Sequence, residues 1–255
     1  MKTCNILGVN IAVTNMEYTV KYIQDNLEEL KGNYICVSNV HTTVMAYEDE
    51  EYRKIQNGGA LALPDGGPLS VVSRKRGFLD ATRVTGPDLM GEIFKISEDK
   101  GYTHYFYGSS EETLETLKYK LEEKFPRLKV VGLYSPPFKN EVSIESQDII
   151  NKVNSEKADF IWVGLGAPKQ ERWMSLHKNK LNSVMIGVGA GFDYFAEKID
   201  RAPKWMQRNN LEWVYRLKQD PKRLFKRYFI TNTKFLITIC KELITRKLQK
   251  EKRGK

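Results

Sequence analysis

What most constrains this chain is a recurrence. Between residues 34 and 193, a short apolar run, a turn containing glycine or small polar residues, and a helical stretch follow one another again and again. The apolar runs are Tyr34–Val37, Leu61–Leu63, His104–Tyr107, Leu128–Tyr134, Phe160–Val163 and Val184–Val188. Strands joined through helices run parallel, so the pattern predicts an α/β fold with a mostly parallel sheet covered by helices on both faces. Ahead of the repeat, Asn5–Val13 reads as a strand or hairpin. Residues 16–30 read as one helix, capped by Thr14 or Asn15, with Val20, Ile23, Leu27 and Leu30 at helical spacing. Further helices are expected over 50–57, 69–75, 89–98, 111–124, 147–155 and 171–178, with a loop over 82–88.

The composition shifts near residue 200. Residues 201–255 hold 17 Lys/Arg and 4 Asp/Glu, a balance of +13, whereas the rest balances at −4 within a total of +9. The expected division is an α/β body over 1–200 and a basic helical appendage over 201–255. In the appendage Leu224, Phe225, Tyr228 and Phe229, then Phe235, Leu236, Ile239, Cys240, Leu243 and Ile244, form an apolar stripe among Lys222, Arg223, Lys226, Arg227, Lys234, Lys241, Arg246 and Lys247. Basic amphipathic helices suit an anionic bilayer surface, or docking of the apolar face onto the body. No run of 18 uncharged apolar residues and no apolar leader is present, so neither a transmembrane helix nor a signal peptide is expected. Three dispersed cysteines, Cys4, Cys36 and Cys240, fit a reducing cytosolic setting, and no Cys/His cluster suggests a metal site.

The stretch Leu61-Ala62-Leu63-Pro64-Asp65-Gly66-Gly67 presents one acid at a strand end beside two glycines. Proline is expected to end the pairing there. In open α/β sheets ligands bind at such carboxyl ends, although Pro-Asp-Gly also serves as an ordinary turn. Gly108-Ser109-Ser110, Gly164-Leu165-Gly166 and Gly189-Ala190-Gly191 stand at other strand ends, and together these loops suit a nucleotide or nucleotide-sugar. Asn39 can fix a sugar hydroxyl or make an Asx-turn. Arg83 can meet a pyrophosphate or pair with Asp80 or Asp88. Asp193 can bind a base or ribose, or cap the next turn. His41 is the one histidine placed near the site. The GxGxxG fingerprint in the first βαβ unit and the Walker A motif are both absent, which weakens nicotinamide-dinucleotide and P-loop readings.

Several longer motifs then occur in order: Leu63-Pro64-Asp65-Gly66, Arg83-Val84-Thr85-Gly86-Pro87-Asp88-Leu89, Gly164-Leu165-Gly166-Ala167-Pro168-Lys169-Gln170-Glu171-Arg172-Trp173, Gly189-Ala190-Gly191-Phe192-Asp193, Arg201-Ala202-Pro203-Lys204-Trp205-Met206 and Leu211-Glu212-Trp213-Val214-Tyr215-Arg216-Leu217. In these the chain resembles the WecG/TagA/CpsF glycosyltransferases, over about residues 5–230. The resemblance implies a Rossmann-like α/β enzyme, peripheral on the cytoplasmic face of the plasma membrane. It implies inverting transfer of N-acetylmannosamine or a related sugar from a UDP-sugar to a polyprenyl-diphosphate-linked sugar, without metal or cofactor. Asp65 matches the general base and Asn39 a pocket residue. Where the family commonly has Thr two residues before that Asn, this chain has Val37, with Ser38 or Thr42 as replacements for the hydroxyl. Arg216, Arg223 and Lys226 match basic residues that stabilise the leaving diphosphate, and Arg227 stands beside Lys226 to share that work. Gly66, Arg83, Gly86, Gly108, Gly164, Gly166, Pro168, Gln170, Gly189, Phe192 and Asp193 are expected around the substrates. Self-association is left open.

Two readings from other classes compete. A nucleic-acid-binding protein would use the basic tail, yet the tail's aromatics share a face with its leucines and no nucleic-acid motif is present. A nicotinamide-dependent dehydrogenase would need the missing fingerprint.

Overall fold

The structure is a computed structural model, and it describes residues 1–137 and 142–253, the side chains through residue 245. Phe138, and the side chains of Arg246 and Lys247 in the tail stripe, lie outside the described residues.

The elements run β1 (Thr3–Ile6), β2 (Val9–Ala12), α1 (Met16–Asp25), α2 (Leu27–Leu30), β3 (Tyr34–Ser38), α3 (Val40–Glu48), α4 (Glu50–Gly58), β4 (Leu61–Pro64), α5 (Gly67–Lys75) and α6 (Gly86–Lys100). They continue as β5 (Thr103–Gly108), α7 (Glu111–Lys124), β6 (Lys129–Tyr134), α8 (Gln147–Ser155), β7 (Phe160–Gly164), α9 (Lys169–His177), β8 (Val184–Gly187), α10 (Gly191–Phe195), α11 (Lys204–Arg208), α12 (Glu212–Gln219) and α13 (Pro221–Arg253). β1 and β2 form an antiparallel hairpin, while the six remaining strands make one sheet in the order β4-β3-β8-β7-β5-β6. Every pairing in that sheet is parallel, as the strand–turn–helix recurrence predicts.

The central strands are apolar on both faces because both are covered. Cys36, Ala62, Tyr105, Tyr107, Ile161 and Val163 join one core cluster with residues of α3, α4, α8 and α9. Their alternating neighbours Ile35, Val37, Leu61, Leu63, Phe106, Phe160 and Trp162 join a second with α1, α6 and α7. Side chains alternate across a strand with period two, which sorts one apolar run into two cores.

Three local readings are corrected. The helix expected over 16–30 breaks at Asn26, whose side chain and backbone N–H both bond to the Tyr22 carbonyl. A side chain competing for the helix's own acceptor ends the helix there. Pairing does not end before Pro64, which sits opposite Ser38, and the next N–H, that of Asp65, donates to the Ser38 carbonyl at 2.7 Å. Proline is tolerated because β4 is the edge strand and its ring faces away from β3. The loop expected over 82–88 closes at Thr85, which caps α6 through the Asp88 N–H, so Gly86-Pro87-Asp88 is the first helical turn.

The tail is a run of three helices. α13 lies against α3, and its apolar residues divide into two stripes. Leu224, Thr231, Phe235 and Ile239 are buried, whereas Phe225, Phe229, Leu236, Ile237 and Ile244 are exposed. Ion pairs of Lys234 with Glu48 and of Arg76 with Glu242 flank the docked stripe. The single stripe expected from the sequence is therefore two, separated around the helix.

Candidate active site at the sheet's carboxyl edge

Asp65 follows β4 directly. Gly66 takes φ +86°, a left-handed conformation that favours glycine, and its turn starts α5 so that the acid is left at the rim. The side chain is half-buried. Burial, with Glu212 adding to it, pushes the Asp65 carboxyl up to about 7, while Arg83 and Arg216 pull against the shift. The carboxylate is thus a stronger proton acceptor than an ordinary aspartate, and two guanidiniums stand near enough to act on its charge.

Glu212, from α12, ties the appendage to the body at this point. It pairs with Arg83 at 3.1 Å and with Arg201 at 2.9 Å, and Arg201 also reaches Asp88 at 3.0 Å. Of the two partners considered for Arg83, Asp88 lies at 3.9 Å, and the shorter contact comes from the tail. Tyr194 joins the same cluster: the guanidiniums of Arg201 and Arg216 lie 5.2 and 5.6 Å from its ring centroid. Sequence reasoning missed Tyr194, Glu212 and Arg201 as members of this cluster. The recurring charges in the Arg201 and Leu211–Leu217 motifs were the available signal.

Asn39, at the end of β3, caps α3. Its Oδ1 accepts from the Thr42 N–H, and Thr42 Oγ1 accepts from the Asn39 N–H. Thr42 is only 1% exposed and its hydroxyl is engaged in this cap. Ser38 is equally buried and donates to Gln56 Oε1 at 2.6 Å. Neither hydroxyl therefore faces the crevice in place of the one that Val37 lacks. Thr42 instead fixes the pose of Asn39.

The glycine loops serve two purposes. Gly166 has φ +75° and open space where a side chain would be, as a ligand loop requires. Gly108 and Gly164 answer to packing: a Cβ on Gly108 would meet the Gly164 backbone at 2.9 Å, and one on Gly164 would meet the Phe192 ring at 2.7 Å. Phe192 itself is 1% exposed and packs edge-on to Phe106, so it supports the floor beneath these loops and does not line the crevice as expected. Gly86 packs against the Val188 backbone. Gln170 is also buried. Its Oε1 accepts from the Gly189 N–H at 3.0 Å and its Nε2 donates to Glu171 at 2.8 Å, so it joins the β7 and β8 loops from beneath. Pro168, half-buried, starts α9 above it. The wholly buried Glu171, its carboxyl raised by burial, sits against Tyr52, which in turn accepts from Gln56. Two hydrogen-bonded polar runs, Gly189–Gln170–Glu171 and Tyr52–Gln56–Ser38, thus lie under the crevice and meet at Glu171 and Tyr52.

Asp193 lies inside the first turn of α10, not at a cap. Burial raises its carboxyl, and Arg216, Lys198 and Arg223 oppose the shift, so two tail arginines act on its charge. Arg223 is exposed and bonded to Asp220 at 2.6 Å. Lys226 is exposed, whereas Arg227 is half-buried near His41, whose ring burial and Arg227 hold neutral down to about pH 4.

A parallel sheet with glycine loops at its carboxyl edge, an aspartate of raised proton affinity at one end and several arginines beside it has the chemistry that group transfer from an anionic substrate calls for. The sequence model of the Glycosyl transferase WecG/TagA/CpsF family matches residues 4–249. The chain belongs to that family. It is 29% identical over 223 residues, 86% of each chain, to the N-acetylglucosaminyldiphosphoundecaprenol N-acetyl-beta-D-mannosaminyltransferase of Staphylococcus aureus (strain MW2). To the protein of the same description from Bacillus subtilis (strain 168) it is 28% identical over 244 residues, covering 95% of this chain and 93% of that one.

Proposed function

We propose that this protein transfers N-acetylmannosamine, or a related sugar, from a UDP-sugar to N-acetylglucosaminyl-diphospho-polyprenol, with inversion and without a metal, in the assembly of teichoic acid or another surface polysaccharide. The descriptions of the two relatives support the substrates. The observation that carries the chemistry is Asp65, a carboxyl raised to about 7 between Arg83 and Arg216. In this reading Asp65 takes the proton of the acceptor hydroxyl as that oxygen attacks the anomeric carbon. The bond from that carbon to the β-phosphate oxygen breaks on the opposite face, and UDP leaves. Arg216, Arg223 and Arg227 meet the charge that develops on the diphosphate. Arg227 fits this part better than Lys226, since it is the one turned toward the body and carries a planar fork for two phosphate oxygens. The enzyme works at the cytoplasmic membrane surface, held there by its basic tail. No helix among the described residues is long and apolar enough to cross a membrane.

The test is a screen of UDP-sugars against a short-chain diphospho-N-acetylglucosamine acceptor, run with and without EDTA. Transfer from UDP-N-acetylmannosamine that survives EDTA is expected. Asp65→Asn should lower turnover by roughly 10²–10⁴-fold, the usual worth of a general base, with UDP affinity little changed. Near-normal turnover by this variant removes Asp65 from the role.

A further inference from the structure

Beside Asp65, on the side away from the glycine loops, lies a pocket of about 490 Å³ lined by Ser70, Arg74, Arg83, Lys204, Arg208 and Asn210, among others. We infer that this pocket binds the diphosphate of the acceptor, so that Arg74, Lys204 and Arg208 form an anion site separate from the arginines that serve the donor. The inference rests on the transferase reading above and names the part of the site that takes the second substrate.

Three observations carry it. The first is position. β4 is the edge strand, and the ligand loops after β8, β7 and β5 lie across β3 from it. Asp65 stands at the border between them and the pocket. Asn210 packs against Gly67, two residues beyond Asp65, and Arg83 belongs to both the pocket and the Asp65 environment. A hydroxyl that loses its proton to Asp65 while attacking a sugar held over the loops must arrive from the pocket side.

The second observation is charge. Arg83 and the one lining carboxylate, Asp88, are tied up with Glu212 and Arg201. Among the described residues no carboxylate lies within ion-pair distance of Arg74, Lys204 or Arg208. Arg74 uses one Nη to hold the Ala81 carbonyl at 2.7 Å, which fixes the loop carrying Thr82 and leaves its charge uncompensated. Three unneutralised cations around one cavity fit a ligand bearing two phosphates.

The third is the surface around the mouth. Trp205 shares α11 with Lys204 and Arg208 and is 60% exposed, and Leu79, three residues before the pocket residue Thr82, is 77% exposed. Apolar side chains bordering a cationic pocket suit a ligand whose phosphates continue into a lipid chain.

The test uses the full chain with UDP at saturation, so that binding is read without turnover. Two acceptors are compared by calorimetry: a short-chain alkyl diphosphate of N-acetylglucosamine, and the alkyl glycoside of the same sugar without phosphate. Lys204→Gln with Arg208→Gln, both exposed positions, should leave the melting temperature unchanged. Each should weaken the diphosphate acceptor by roughly tenfold, as loss of one charge-assisted contact does. The double variant should lose most of the preference over the glycoside, with UDP affinity unaltered. Unchanged preference with intact UDP binding overturns the pocket and leaves the transferase reading standing. The same is concluded if UDP affinity falls in step, or if the double variant loses only its binding to phosphatidylglycerol vesicles, which would assign the cations to headgroups. A wild-type chain that binds both acceptors alike overturns the pocket alone, and one that binds neither UDP nor either acceptor overturns the transferase reading with it.

Discussion

Asp65 shows how a neighbour on a different element can set the proton affinity of a carboxyl. Glu212 raises its proton affinity, while Arg83 and Arg216 lower it. Removing the negative neighbour should therefore make the carboxyl more acidic. Glu212→Gln is expected to move the acid limb of the kcat/KM profile, which should fall below about pH 7 in the natural protein, to lower pH. Arg216→Ala is expected to move it upward. A limb that stays put in both variants shows that another group titrates. The same raised affinity has a cost in stability, with its sign fixed by linkage. The folded state holds the Asp65 proton more tightly than the unfolded chain, so the cost is absent at acid pH and sets in as pH rises toward 7. The place of Asp65 at a strand end was legible in the sequence because a proline, an acid and two glycines after an apolar run leave few other arrangements. Tyr194 and Glu212 were not, since their part depends on a docking of α12 that no local spacing encodes. Thr42 and Phe192 were misplaced for the complementary reason. Both stand beside site residues in the chain, yet one is engaged in a cap and the other is turned under the sheet.

Among the elements, α13 shows where periodicity alone falls short. Leucine, phenylalanine and isoleucine at adjacent positions predict an amphipathic helix, and the helix forms. The pattern cannot say that Phe235 and Ile239 enter the body's core while Phe225 and Phe229 stack on one another in the open. The strands were more legible, because a run apolar at every position must be covered on both faces. Their order in the sheet was not, since it is decided by which helices cross over which face. Docking of α13 through Phe235 is open to measurement. Phe235→Ala should destabilise the protein by about 3 kcal/mol, at the low end for a buried phenylalanine because a site at the margin of the core can partly close. The midpoint of urea unfolding would show it. A loss below about 0.5 kcal/mol, typical of surface positions, would mean that the tail is not docked in solution.

For the molecule as a whole, the charge division and the exposed stripe point the same way. The appendage carries +13 and the remainder −4, so an anionic bilayer would attract the one and repel the other. Phe225→Ser with Phe229→Ser should weaken binding to phosphatidylglycerol vesicles by at least tenfold, because two aromatic side chains leave the interface. Melting temperature should hold, as neither side chain is packed in the body. Vesicle binding that depends on salt alone, indifferent to this change, would reduce the contact to electrostatics.

The two stripes of α13 also fix a height. One stripe is fastened to α3, whose first turn is capped by Asn39, and the other lies open on the opposite flank of the same helix. A helix with its side chains is about 10–12 Å thick. With the open stripe set into a bilayer, the helix becomes a spacer one rod thick between the lipid and the carboxyl edge of the sheet. That stand-off is comparable to the depth of a headgroup layer. An acceptor would then need no extraction from the membrane: its lipid could stay where it dissolves, while its sugar, carried on a diphosphate stalk, reaches upward to Asp65.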